Sequence, residues 1–264
     1  MPPMPATPSD SLDLQQVADE LEVHYQTVYR WVRSGRLPAA LVDGKYTVER
    51  QALDQVQRER SVAVRPTPPS ADRLRRQVEP MHNALVGGDE AGARRIARTL
   101  VDQGTPVVDL IQEVIAPPLR RIGQAWHDGQ LSIWVEHRAS AMVERILGDI
   151  ATVPRGRRRG TAMVAAVSGD RHSLPTAMAA VALRDANWNV HHLGADMPPD
   201  ELVEFCAEHV VDVAVISSTN PDVADLSVET GERLEAAGVP TIVGGAGSTL
   251  DDLLARASAR RQAR

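Results

Sequence analysis

Aromatic residues are scarce, at 3% of 264 positions: one phenylalanine, three tyrosines and four tryptophans. Aliphatic side chains must therefore fill the cores, and each tryptophan is an unusual choice that needs a reason. A single cysteine, Cys206, excludes an intramolecular disulfide framework and any zinc site built on cysteine pairs. No apolar run approaches the roughly 18 residues that a membrane-spanning helix requires, and no charged-then-apolar leader opens the chain. A protein of the reducing, bacterial-type cytoplasm is expected, with no membrane partner. Excess positive charge is also missing: 29 Lys and Arg stand against 35 Asp and Glu, a net charge of -6. Nucleic-acid contact would have to come from a local patch, not from the field of the whole molecule. What the chain does have is 43% hydrophobic residues and a length that suits about two domains, or three if one is small.

Residues 1–11 are rich in Pro and Ser and read as a disordered lead-in. Over 12–57, Leu14, Val17, Ala18 and Leu21 recur at helical spacing, Glu22-Val23 fills a turn, and Val28, Trp31 and Val32 mark a second short helix. Two short helices in tight succession read as helix-turn-helix. Gly35 stops the second, and the stretch from Leu37-Pro38 to Tyr46-Thr47-Val48, turning at Asp43-Gly44, reads as a hairpin wing. Residues 58–71 have linker composition, with three prolines and few large apolar side chains.

Residues 72–153 carry four helical stripes: Leu74, Val78, Met81 and Leu85; Ile96, Ala97, Leu100 and Val101; Ile111 to Trp126; Ile133 to Ile150. Short connections between them predict an antiparallel four-helix bundle. Gly87-Gly88 separates the first two, Asp89 is placed to cap the second, and Pro117-Pro118 should kink the third. A basic connector, 154–160, should be solvated. Over 161–264 the period changes to strands (161–167, 189–193, 211–217, 241–243) alternating with helices (174–184, 199–209, 228–237, 249–258), the pattern of a Rossmann-like, doubly wound parallel sheet. The fold class is thus multidomain, α and α/β.

Two constellations carry chemistry. On or just before the second helix lie His24, Tyr25, Gln26, Thr27, Tyr29, Arg30 and Arg33, with Arg36, Lys45 and Arg50 extending towards the wing. Over 24–50 the five cations Arg30, Arg33, Arg36, Lys45 and Arg50 face Asp43 and Glu49, a local excess of three. Base edges need polar side chains and phosphates need cations, so Tyr25, Gln26, Thr27, Tyr29, Arg30, Arg33 and Lys45 are the candidate DNA contacts, and double-stranded DNA the expected partner. The second constellation lies at strand ends, where ligands of open parallel sheets bind. His172 follows the first strand, and Asp170 two residues earlier is placed to bond its other ring nitrogen. Ser217-Ser218-Thr219 and Gly244-Gly245 end the third and fourth strands, the glycines allowing close backbone approach. In the bundle, Trp126, with His127 beside it, is followed after nine intervening residues by Glu136-His137. Imidazoles near a tryptophan, ahead of an α/β pattern, suggest a metal-centred cofactor held between two domains.

Residues 27–37 resemble the recognition helix and turn of MerR-like and excisionase winged helices. The Asp170-x-His172 loop resembles the cobalamin-binding fold, in which an Asp-x-His-x-x-Gly loop supplies the lower cobalt ligand; Pro175 stands where that loop has Gly. Trp126 with Glu136-His137 resembles the adenosylcobalamin-dependent photoreceptor repressors of the CarH and LitR type. The resemblance spans roughly residues 12–258. It implies a light-responsive repressor without turnover, with His172 as lower cobalt ligand and His127 as upper ligand after light. The adenosyl group would pack near Trp126, Glu136 and His137, and Asp170, Ser217, Thr219, Gly244 and Gly245 would line the rest of the cofactor site. It further implies a homo-oligomer, a tetramer in the dark and smaller after light, bound to an operator. Haem or a bilin in place of the corrinoid, a cobalamin response independent of light, and a corrinoid methyl carrier are the alternatives.

Overall fold

The computed structural model describes residues 11–21, 23–42, 44–62, 69–152, 156–245 and 247–262. The chain divides into two compact units, Met1–Arg65 and Pro66–Arg264.

In the first unit, β1 (Ser11–Asp13) leads into α1 (Leu14–Glu20) and α2 (Tyr25–Arg33), followed by β2 (Ala40–Val42), β3 (Lys45–Glu49) and α3 (Arg50–Val62). Asp13 starts α1 with a capping box: its carboxylate accepts the Gln16 N–H at 2.8 Å and its own N–H donates to Gln16 Oε1 at 2.9 Å. Leu14, Val17, Ala18, Leu21, Val28, Leu37, Val48, Leu53 and Val56 close one core. The helix-turn-helix and the hairpin are as expected, although Glu22 and Asp43 of the two turns, like most of the lead-in, lie outside the described residues. Two boundaries need correction. Ser11, assigned to the lead-in, pairs with Glu49, so the sheet has three antiparallel strands in the order β1-β3-β2. Residues 58–62, assigned to the linker, continue α3; Leu53 and Val56 bury that helix against the unit, which their isolated spacing did not reveal.

In the second unit come α4 (Ala71–Arg75), α5 (Val78–Gly87), α6 (Glu90–Asp102), α7 (Val107–Asp109), a π-helical segment (Leu110–Ile115), α8 (Ala116–His127) and α9 (Ile133–Ile150). The first stripe is therefore two helices rather than one. Gly88, left-handed at φ 77°, ends α5, and Asp89 caps α6 by accepting the Gly92 N–H at 2.8 Å, as expected. The expected interior kink at Pro117-Pro118 is replaced by a restart. The prolines occupy the first turn of α8, where their missing N–H groups cost nothing, and the chain before them winds as a π-helix, with the Ala116 N–H reaching Ile111 O.

The sheet has the parallel order β5-β4-β6-β7, built from β4 (Thr161–Val167), β5 (Asn189–Met197), β6 (Val213–Ser218) and β7 (Thr241–Gly245), with α10 (Ser173–Asp185), α11 (Pro199–Glu208), α12 (Ala224–Ala236) and α13 (Leu250–Gln262) between and after them. Every residue of β4 from Ala162 to Val167 is buried, as a central parallel strand requires. Bundle and sheet are joined through α10. Its Val181 is buried in the bundle core, while Ala179, Ala180 and Leu183 are buried against the sheet. The connector is more than solvated chain: Asn187 Nδ2 donates to Arg157 O at 2.8 Å and the Arg159 N–H donates to Asn187 O at 3.0 Å. No helix among the described residues is long and apolar enough to cross a membrane.

Candidate functional site

At the carboxyl end of β4 the chain turns through Gly169, at φ 89°, and Asp170 folds back under it, completely buried. One carboxylate oxygen accepts the backbone N–H groups of Thr219 (2.7 Å) and Asn220 (3.1 Å) from the end of β6. The other accepts the His172 N–H at 3.2 Å and meets His172 Nδ1 at 2.7 Å. Burial works to raise the carboxyl's pKa, but the Thr219 N–H, the His172 side chain and the Asn220 and His172 N–H groups outweigh it and hold Asp170 below the ordinary carboxylate range. An ionised carboxylate only accepts, so Nδ1 is the donor of this pair, and in the neutral ring the lone pair then lies on Nε2. The imidazole is 56% exposed and stands at the N-cap of α10 without capping it. A neutral imidazole with an oriented, open Nε2 is what a metal ligand requires.

The other strand-end residues lie at the carboxyl ends of β6 and β7. Thr219 touches Asp170 through its backbone. Ser217 is buried beside it and pairs with Gly244 across β6 and β7. Gly245 pairs with Ser218 so closely that a Cβ there would lie 1.7 Å from Ser218 O. Pro175 falls in the first turn of α10, where it is tolerated.

The bundle residues form a second set. Trp126 and His127 end α8, both exposed, with Trp126 at 44%. Glu136 closes the first turn of α9 and His137 follows it; His137 Nδ1 lies 2.7 Å from Glu136 Oε2, and Ser140 Oγ donates to Glu136 Oε1 at 2.7 Å. Packing of α8 on α9 places the two pairs on adjoining helices. No hydrogen bond among the described residues joins this set to Asp170 and His172. They are linked instead through Glu144, which accepts from Ser173 Oγ at 2.5 Å. Glu136, Ser140 and Glu144 are spaced i, i+4, i+8 on one face of α9, so the Glu136-His137 pair stands roughly 12 Å along the helix from the His172 loop, at 1.5 Å per residue. Exposed indole and imidazole groups on the bundle, an open Nε2 on the loop and a glycine-lined strand end fit a flat, metal-centred macrocycle with a long tail.

Sequence inspection missed Glu144, Asn220 and Asp196. Glu144 and Asn220 carry no local signal, because their partners come from distant segments. Asp196 had one: Gly194 inside a strand pattern marks a bulge.

In the first unit, Tyr25, Gln26, Tyr29, Arg30 and Arg33 are all exposed along one face of α2, and Lys45 is exposed on the wing. Thr27 is half-buried beside that face. Tyr29 meets Tyr46 edge-on at 6.2 Å, bracing the helix against the wing, and Arg36 lies 5.1 Å over Trp31. His24 is the N-cap of α2, its Nδ1 accepting the Gln26 N–H at 3.2 Å. Arg50, counted in the positive surface, is instead paired with Glu20 at 2.6 Å, which offsets its charge.

Comparison with known proteins matches a helix-turn-helix domain over residues 11–61 and B12 binding domains over 77–149 and 160–261. Trimethylamine corrinoid protein 1 of Methanosarcina acetivorans is 26% identical over 180 residues, 64% of this chain and 82% of that protein. Among transcriptional repressors of Myxococcus xanthus, CarA is 28% identical over 186 residues (68% of this chain, 60% of CarA) and CarH is 30% identical over 145 (53% and 48%). The chain thus spans less than two thirds of either repressor. The structure of Methanosarcina barkeri monomethylamine corrinoid protein superposes with a TM-score of 0.53 at 17% identity, covering 69% of this chain and 94% of that one, a likeness of fold. Three domains in this order, with repressor relatives on one side and corrinoid carriers on the other, make the chain a CarH-like B12-binding protein headed by a helix-turn-helix domain.

Proposed function

We propose that the chain is a transcriptional repressor that reads light through adenosylcobalamin. The observation that carries this is the coexistence of a clamped imidazole with an open Nε2 at the strand end, an exposed Trp126-His127 pair on the covering bundle, and a helix-turn-helix unit on the same chain. When bound, adenosylcobalamin supplies a cobalt–carbon bond that visible light breaks. The chain's own residues do the rest. His172 Nε2 would ligate the cobalt, and Asp170 keeps the proton on Nδ1. Trp126, Glu136 and His137 cover the adenosyl side, so that contact with that group favours one arrangement of the bundle; only such differential contact can shift the equilibrium. His127, next to Trp126, would offer a second nitrogen ligand after illumination. Gly244 and Gly245 admit the cofactor's tail. In darkness the protein is a homo-oligomer, a tetramer in this proposal, whose several helix-turn-helix units bind repeated operator sites, gaining roughly 10²–10⁴ in avidity over one unit. Light dissolves the assembly and frees the operator.

The test compares elution volume and operator binding of the adenosylcobalamin-loaded protein in darkness and after green light. A larger, DNA-bound dark species that becomes smaller and unbound is expected; identical elution in both states removes the light switch. His172→Ala should abolish the histidine-ligated cobalamin spectrum, and His127→Ala should spare dark assembly while the illuminated form lacks a second nitrogen ligand. The likeness to methylamine corrinoid proteins favours one other reading, a methyl carrier. Those alignments cover most of each carrier, and methyl transfer from a methylated corrinoid on this chain would decide for it. An absorption spectrum distinguishes haem or a bilin at once.

A further inference from the structure

We propose that Asp196 is a positioning residue for the His172 imidazole, acting through the Gly169-Asp170 turn; its consequence for the corrinoid rests on the function proposed above. Among the described residues the non-glycine positions with left-handed φ are Asn187 (67°) and Asp196 (59°). Asn187 follows the end of α10, where such a conformation is ordinary. Asp196 lies inside a strand, and nothing in strand geometry asks for it.

The strain has a local origin and a visible use. Along β4, the pairing with β5 runs Thr161↔Asn189 to Val164↔His192, then slips to Ala165↔Gly194 and again to Val167↔Met197. Two bulges within four residues swing the end of the edge strand over the β4 exit loop, and bulges are a standard means of re-aiming a side chain. The side chain so aimed is that of Asp196. Its Oδ1 accepts the Gly169 N–H at 2.7 Å, and its own N–H donates to Asp170 O at 3.0 Å. The turn that presents Asp170 is thereby gripped at both ends of the Gly169-Asp170 dipeptide. Asn220 Nδ2 holds the other side of it, donating to Gly169 O at 3.1 Å. Arg171 Nε, 3.8 Å from Asp196 and highly exposed, adds little. Strained backbone persists where surroundings over-determine it, and it concentrates at working sites. Here the strained residue fixes the acid that fixes the imidazole.

The experiment uses the whole chain and three forms: wild type, Asp196→Gly and Asp196→Asn. Glycine accepts the left-handed conformation without cost and removes only the carboxylate, so this variant should fold. Asparagine keeps an acceptor at Oδ1. In the cofactor-free protein, nitrogen-15 correlation spectra report which ring nitrogen of His172 is protonated. Nδ1–H is expected in wild type and in Asp196→Asn. In Asp196→Gly the signal should move towards the Nε2–H form of a free histidine. Hydroxocobalamin titration should then show affinity falling about tenfold in Asp196→Gly and restored in Asp196→Asn, the lower end of the range for residues behind a metal ligand. A wild-type tautomer in Asp196→Gly, or its loss in Asp196→Asn as well, overturns the proposal. Should wild type bind no hydroxocobalamin, the cofactor assignment falls, and the tautomer comparison still decides the role of Asp196.

Discussion

Replacing Asp170 with Asn separates its two duties, because an amide is an acceptor on one side and a donor on the other. The oxygen that receives the Thr219 and Asn220 N–H groups at 2.7 and 3.1 Å can stay an oxygen, so the link between the ends of β4 and β6 survives with neutral in place of charge-assisted bonds. Hydrogen bonds to charged groups contribute about 1.5–3 kcal/mol and neutral ones about 0.5–1.5, so two weakened bonds cost about 2 kcal/mol, and the His172 N–H, which shares the other oxygen with Nδ1, loses its acceptor as well at about 1–3 kcal/mol. At roughly 2–4 °C per kcal/mol for a unit of this size, the total of about 3–5 kcal/mol lowers melting by about 6–20 °C. The other side changes sign. The new Nδ2 group donates, so His172 Nδ1, 2.7 Å away in the wild type, must become the acceptor and the ring proton moves to Nε2. That protonated nitrogen cannot ligate, and the penalty should reach the upper end of the 10–100-fold range for groups behind a metal ligand. Asp170→Ala loses both duties and strands the Thr219, Asn220 and His172 N–H groups at about 1–3 kcal/mol each, so about 3–9 kcal/mol in all. Thermal melting of the cofactor-free protein and cobalamin titration, run on the same samples, read the two duties independently. If Asp170→Asn retains a histidine-ligated cobalamin spectrum at wild-type affinity, the tautomer argument is wrong.

Gly245→Ala should destabilise the sheet unit by about 1–3 kcal/mol or more, because its Cβ would meet the Ser218 carbonyl at 1.7 Å, whereas Gly244→Ala meets only Ser248 Oγ at 3.4 Å and should be close to neutral; equal melting temperatures would contradict the close approach. Arg33→Ala, which removes an exposed cation from the outer face of α2, should weaken operator binding across sequences and lower the slope of log affinity against log salt by about one; an unchanged slope would remove Arg33 from the phosphate contacts. Asp109 has its pKa raised, first by burial and then by Asp251 of α13 and by Glu113 four residues on. A raised carboxyl favours folding in its neutral form, so the penalty is absent in acid and grows as pH rises past the ordinary aspartate value; Asp109→Asn should therefore stabilise at neutral pH and not in acid, as measured by melting against pH.

How much was legible follows from how far apart the partners lie in sequence. Apolar spacing of 3.6 or continuous aliphatic runs report burial one element at a time, so α1, α2, α6, α9, the four parallel strands and their strand-end loops could be read directly, and Asp170 and His172 stand two residues apart in one loop. Tertiary structure decided whatever depends on a distant segment. Leu53 and Val56 extend α3 only because the first unit offers them a core, and Pro117-Pro118 restart a helix only because a π-helical turn precedes them. Asp170 owes its orientation to N–H groups about fifty residues away, and Asp196 reaches Gly169 only after two register slips along β5. Periodicity records which side of an element faces oil; it holds no information about which backbone groups meet across a sheet edge, and at this site those meetings set the tautomer on which ligation depends.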